Sequence, residues 1–141
     1  MSTGKRSTGK APIRVLVIDD HDAVRRGLEI FIESVDDLEL VGQGSNGQEA
    51  IRLCQEIKPD VVLMDLTMPV MDGITATRKI HEFAPDIRII ALTSFQNEVL
   101  LRQAVDAGFS ALLSKGITAG DLAEVIRSIE TGSPAPSGSL L

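Results

Sequence analysis

The stretch Asp60-Val-Val-Leu-Met-Asp65-Leu-Thr-Met-Pro69-Val-Met-Asp72-Gly73 decides the fold. Its first six residues hold four apolar side chains between two carboxylates, so a strand over Asp60–Asp65 is apolar on both faces. A central parallel strand covered by helices on each side has that pattern. Pro69 keeps the residues before it off helical geometry, and a helical period then runs from Gly73 to Phe83.

The same alternation extends in both directions. Short β-branched runs predict strands over Ile13–Asp19, Leu38–Gly44, Asp60–Asp65, Ile87–Thr93 and Ser110–Ser114. Helical periods between and after them cover Asp22–Ser34, Gly47–Ile57, Gly73–Phe83, Asn97–Ala107 and Thr118–Thr131. In the last, Leu122, Val125, Ile126 and Ile129 share one face. Five strand-helix units in succession predict an α/β fold with a doubly wound five-stranded parallel sheet and helices on both faces. Residues 1–12 are mostly Ser, Thr, Gly and Lys, a composition expected of a disordered basic tail. Residues 132–141, GSPAPSGSLL, read as a Gly/Ser/Pro linker or tail, which leaves one domain over 13–131.

Composition narrows the function. Fourteen Lys and Arg face twenty Asp and Glu, a net charge of −6, and Lys5, Arg6, Lys10 and Arg14 all precede the first acid. The body is therefore more acidic than the total, unlike a surface that binds a phosphate backbone. Cys54, the single cysteine, forms no internal disulfide, and the amino terminus lacks the apolar centre of a signal peptide. No apolar run approaches the roughly 20 residues of a membrane span, so a soluble, cytoplasmic domain is expected.

In a parallel sheet the functional crevice lies at the carboxyl ends of the strands. Those ends carry Asp19-Asp20, Asp65, Thr93-Ser94 and Lys115. Two carboxylates about 4 Å apart repel by roughly 4 kcal/mol at an effective dielectric near 20, so the cluster needs cations. Lys115 supplies one, and Mg²⁺ suits an all-oxygen ligand set. Carboxylates, a divalent ion, a lysine and a threonine are the equipment for phosphoryl chemistry, with Asp65 the candidate nucleophile.

Each of these residues alone reads as a solvated loop charge, or for Thr93 as a helix cap; their shared position at strand ends favours a site. His21 reads as a first-turn surface residue, with metal ligation the lesser alternative, Cys54 as a small core residue, and Met64, Met68 and Met71 as packing. Lys5, Arg6 and Lys10 read as a solvated arm in preference to a nucleic-acid contact. Gly42-Gln-Gly44-Ser-Asn-Gly47 matches a dinucleotide fingerprint, with Asp65 near the distance of its acid. That reading leaves Asp19, Asp20, Thr93 and Lys115 without roles. A phosphatase with an aspartyl nucleophile usually carries a second acid two residues on, where this chain has Thr67.

Together, the Asp19-Asp20 pair, the stretch Val61–Gly73, the Thr93-Ser94 step and Lys115 resemble a response regulator receiver domain, over Ile13 to about Gly132. The resemblance implies the flavodoxin-like strand order 2-1-3-4-5. It makes Asp65 the phosphoacceptor, fed by a phosphohistidine on a sensor histidine kinase. Asp19, Asp20, Asp65 and the Thr67 carbonyl would hold Mg²⁺, with Asp20 the more direct of the acid pair. Thr93 would hydrogen-bond the attached phosphoryl group and Lys115 would pair with one of its oxygens. Such a protein is a switch more than an enzyme, and a homodimer is a possible partner. The opening VLVIDDHDAVRRGL is most similar to LuxR-type regulators, which carry a C-terminal DNA-binding domain; a stand-alone module signalling by protein contact is the alternative. Two departures stand out: Leu112 replaces the family's usual switching aromatic, and Gly116 follows the lysine where many members have proline. Thr67 and Phe95, expected to flank the phosphate, imply slow loss of the phosphoryl group.

Overall fold

The computed structural model describes residues 11–94 and 97–132. Five strands, β1 (Ile13–Ile18), β2 (Leu38–Gly44), β3 (Val61–Met64), β4 (Arg88–Thr93) and β5 (Ala111–Ser114), form one parallel sheet in the order β2-β1-β3-β4-β5. The helices α1 (Asp22–Glu33), α2 (Gly47–Ile57), α3 (Gly73–Phe83), α4 (Glu98–Ala107) and α5 (Ala119–Thr131) alternate with them. The expected architecture and strand order are both present. Most of the expected basic tail, residues 1–10, and nearly all of the expected linker, residues 133–141, lie outside the described residues.

Strand alternation sorts the apolar side chains onto two faces. Leu16, Ile18, Val62 and Met64 pack with Ala50, Cys54, Ile74 and Ile80 on the face covered by α2, α3 and α4. Val15, Val17, Val61 and Leu63 pack with Ile32, Leu122, Val125 and Ile126 beneath α1 and α5. All four residues of β3 are buried, as its two apolar faces require.

Helix boundaries follow capping chemistry. Asn46, Asp72, Asn97 and Thr118 are extended residues whose side chains accept amide hydrogen bonds from the first turns of α2, α3, α4 and α5. Asn97 and Thr118 therefore precede their helices, which begin one residue later than the sequence suggests. Residues read as strand ends, Asp19, Asp60, Asp65, Ile87 and Ser110, fall just outside the strands.

The Gly42–Gly47 fingerprint is absorbed by packing. A Cβ on Gly44 would stand 2.9 Å from Ile18 Cδ1, and one on Gly47 would stand 2.7 Å from the Met71 carbonyl oxygen. The Gly47 amide donates to that same oxygen at 2.8 Å, which fastens the start of α2 to the loop after β3.

Candidate functional site

Ladder hydrogen bonds carry three main-chain segments one step past their strands. Asp19 N donates to Gly44 O at 3.0 Å, Asp65 N to Ile18 O at 3.0 Å, and Lys115 N to Thr93 O at 3.0 Å. The sheet thereby brings two carboxylates and an ammonium to one rim. Lys115 Nζ lies 2.9 Å from Asp65 Oδ2 and 3.0 Å from Asp19 Oδ2, so one cation bridges both acids. Asp19 is 2% exposed and Asp65 4%. Burial alone would push the Lys115 ammonium toward losing its proton; hydrogen bonds and charge from Asp65 and Asp19 outweigh that and hold its pKa above the ordinary lysine value.

Asp20 is half-buried beside this pair, and its Oδ1 is a buried oxygen with no hydrogen-bond partner. A shielded carboxylate oxygen without a donor is an unmet demand for positive charge. Asp19, Asp20, His21 and Asp65 each offer one ligand atom, all within 4.8 Å of one another, so the donor set fits a divalent cation. Thr67 N approaches Asp65 Oδ1 at 3.4 Å, which places the residue expected to offer its carbonyl against the same carboxylate. Thr93 is buried at the end of β4, in register with Ser114 and next to Lys115.

The loop after Asp65 is tightly built. Met71 N donates to Pro69 O at 2.7 Å, and Val70 between them takes φ +68°, a left-handed value that β-branched residues rarely adopt. The Gly73 amide returns to Leu66 O at 2.9 Å, closing the segment over Asp65.

The sequence reading weighed His21 as a metal ligand only as the lesser alternative and did not reach Arg25. His21 is an exposed surface residue as expected, at the N-cap of α1 one position before its first turn, and its Nδ1 lies 2.9 Å from Asp19 Oδ1. Arg25 donates to the Asp19 carbonyl oxygen and to Asp22 Oδ1, tying the acid-pair loop to the first turn of α1. Position i+2 from an aspartate is a signal for His21, since Asx turns form there; His21 N does donate to Asp19 Oδ1 at 2.9 Å. Arg25 stands out by no comparable pattern. Leu112 is fully buried in the core, Phe109 packs in the same cluster, and Met64 and Met68 are core side chains as expected. Phe95 lies outside the described residues.

Comparison with known proteins places this geometry. The response regulator receiver domain family matches residues 15–127. The chain is 45% identical over 122 residues to the transcriptional regulatory protein LiaR of Bacillus subtilis, covering 86% of this chain and 58% of LiaR. It thus spans a little over half the length of that relative. A two-component response regulator of the LuxR family from Aurantimonas superposes with a TM-score of 0.82 at 35% identity, over 90% of this chain and 91% of that one. The isolated receiver domain of RcsB from Salmonella enterica, solved with the phosphomimetic BeF3−, superposes with a TM-score of 0.79 at 25% identity, over 90% and 95%. No helix among the described residues is long and apolar enough to cross a membrane. With five parallel strands in the order 2-1-3-4-5 and an acid cluster at their carboxyl ends, the chain belongs to the response regulator receiver domains of two-component systems, among relatives of the LuxR type.

Proposed function

We propose that the chain is a phosphorylation-dependent switch in which Asp65 accepts a phosphoryl group from a histidine of a sensor kinase. The carrying observation is the single ammonium shared by Asp65 and Asp19, with Lys115 Nζ at 2.9 and 3.0 Å. A phosphoryl group attached to Asp65 brings oxygens that Lys115 can follow, so its pairing with Asp19 must change. In the transfer, an Asp65 carboxylate oxygen bonds to phosphorus while the nitrogen–phosphorus bond of the donor breaks, its electron pair staying on the imidazole. Asp19, Asp20, Asp65 and the Thr67 carbonyl would hold Mg²⁺, which neutralises phosphoryl oxygen charge when bound. Thr93 would hydrogen-bond the attached group and Lys115 would pair with one of its oxygens.

The charge change is read out as altered affinity for a partner surface, a second copy of the chain included. LiaR is a transcriptional regulator and longer than this chain, which favours control of a C-terminal DNA-binding domain over a stand-alone module. The test is intact mass after incubation with acetyl phosphate. One phosphoryl group is expected on the parent with Mg²⁺ and none with EDTA or on Asp65→Asn; uptake by that variant would overturn the assignment.

A further inference from the structure

Arg25 and Arg26 are neighbours on α1 with opposite surroundings. Arg26 is 69% exposed and pairs with Glu29 at 2.9 Å, one turn along the same helix. Arg25 is 20% exposed, and its guanidinium turns back over the start of α1. One nitrogen donates to the Asp19 carbonyl oxygen and another to Asp22 Oδ1, so the fork joins the residue after β1 to the first turn of the helix. The Asp19 carbonyl and the Asp20 amide belong to one planar peptide group, so holding that oxygen holds the direction in which Asp20 leaves the sheet. Asp19 N is fixed from the other side by Gly44 O at 3.0 Å. Asp20 itself supplies no anchor at Oδ1, which has no hydrogen-bond partner among the described residues; His21 Nδ1 stands 3.2 Å from it without making one. The aim of the Asp20 carboxylate is therefore set through the backbone, and Arg25 holds that backbone.

We propose, resting on the reading of the acid cluster as the Mg²⁺ site, that Arg25 is a positioning residue that aims Asp20 at the ion through the Asp19 carbonyl. The charge of Arg25 and its hydrogen bonds act on Mg²⁺ in opposite directions. A cation beside a divalent ion repels it, so deleting the charge alone would tighten Mg²⁺ binding. Deleting the fork frees the peptide plane, and the ion must then order Asp20 as it binds, which weakens binding. The sign of the change tells the two effects apart.

Calorimetric Mg²⁺ titration of the parent, Arg25→Met and Arg26→Met tests the assignment. Arg25→Met is expected to weaken Mg²⁺ by about tenfold and Arg26→Met to leave it unchanged. In metal-free protein the Asp20 amide resonance should move in Arg25→Met and stay in place in Arg26→Met. Phosphoryl uptake from acetyl phosphate should need more Mg²⁺ in Arg25→Met and regain the parent's rate once the ion saturates. Arg25→Lys keeps the charge without the fork, so it too is expected to bind Mg²⁺ more weakly, and it carries the comparison alone if Arg25→Met does not fold. Unchanged or tighter Mg²⁺ binding in Arg25→Met, parent-like binding in Arg25→Lys, or equal losses in the two Met variants overturns the proposal. A rate that stays low at saturating Mg²⁺ also overturns it, since the ion is then not what Arg25 serves. Failure of Mg²⁺ to bind the parent overturns the underlying reading of the cluster instead.

Discussion

Gly73 is pressed so closely against Asp65 that a Cβ on it would stand 2.1 Å from the Asp65 carbonyl oxygen. The first turn of α3 therefore rests directly on the backbone of the proposed phosphoacceptor. Gly73→Ala must displace one of two backbone segments, and a loss of about 2–3 kcal/mol or more is expected, together with slower phosphoryl uptake at Asp65. Gly120 is the control: in the first turn of α5 an added Cβ meets nothing within 4 Å, so Gly120→Ala should be neutral or stabilising. Urea midpoints compare the two. Equal changes would mean that close approach is not what requires glycine at position 73.

Lys115→Met leaves Asp19 and Asp65 shielded without their shared cation. The fold should persist by circular dichroism, with a loss of about 1–3 kcal/mol in metal-free buffer, toward the low end because Lys115 is partly solvated. Mg²⁺ should raise the variant's midpoint more than the parent's. Because the folded pKa of Lys115 lies above the usual 10.5, its contribution is complete below 10.5 and is lost only as pH rises through the higher folded value. The difference between parent and variant should therefore be constant across the neutral range; a difference that fades as pH rises there would contradict the pairing.

Cys54 is fully buried on the core-facing side of α2, and burial pushes its thiol up to about 12. Almost no thiolate exists in neutral buffer, so thiol reagents should leave the native protein unlabelled and react completely in denaturant. Mass spectrometry follows the adduct. Rapid labelling of native protein would show that α2 opens locally instead of with the whole domain.

At the other end of the sheet, burial raises the Glu130 carboxyl, the Asp60 charge adds to the rise, and Arg88 opposes it. The folded state thus favours the protonated acid: its contribution is complete below the ordinary 4.5 and is lost as pH rises through the folded value. Glu130→Gln should stabilise the domain near neutrality, by about 0.5 kcal/mol or less at this partly exposed position, and the gain should vanish near about pH 4. Thermal melts at the two pH values measure it. A larger gain in acid would reverse the assigned sign.

The alternation of periods in the chain was enough to determine the strand-helix succession, since a strand repeats every two residues and a helix every 3.6 whatever lies around them. It was also enough to place Asp19, Asp20, Asp65, Thr93 and Lys115 at strand ends, because in a parallel sheet each apolar run stops at the rim where function collects. Helix starts were legible to within one residue, because Asn97 and Thr118 resemble first-turn residues until their side chains are seen accepting amide hydrogen bonds.

Contacts across the fold were decided only in three dimensions. Lys115 and Asp65 stand fifty positions apart, and strand register sets which oxygens the ammonium reaches. His21 enters the acid cluster because the chain turns back on Asp19, and Arg25 joins it through a main-chain carbonyl that carries no residue identity. The glycines of the 42–47 stretch look like a phosphate cradle in one dimension, yet Gly44 faces Ile18 and Gly47 faces Met71. Periodicity is a local property that each segment carries within itself. Hydrogen bonds and close approaches belong to pairs of segments, and only the folded sheet brings those pairs within about 3 Å.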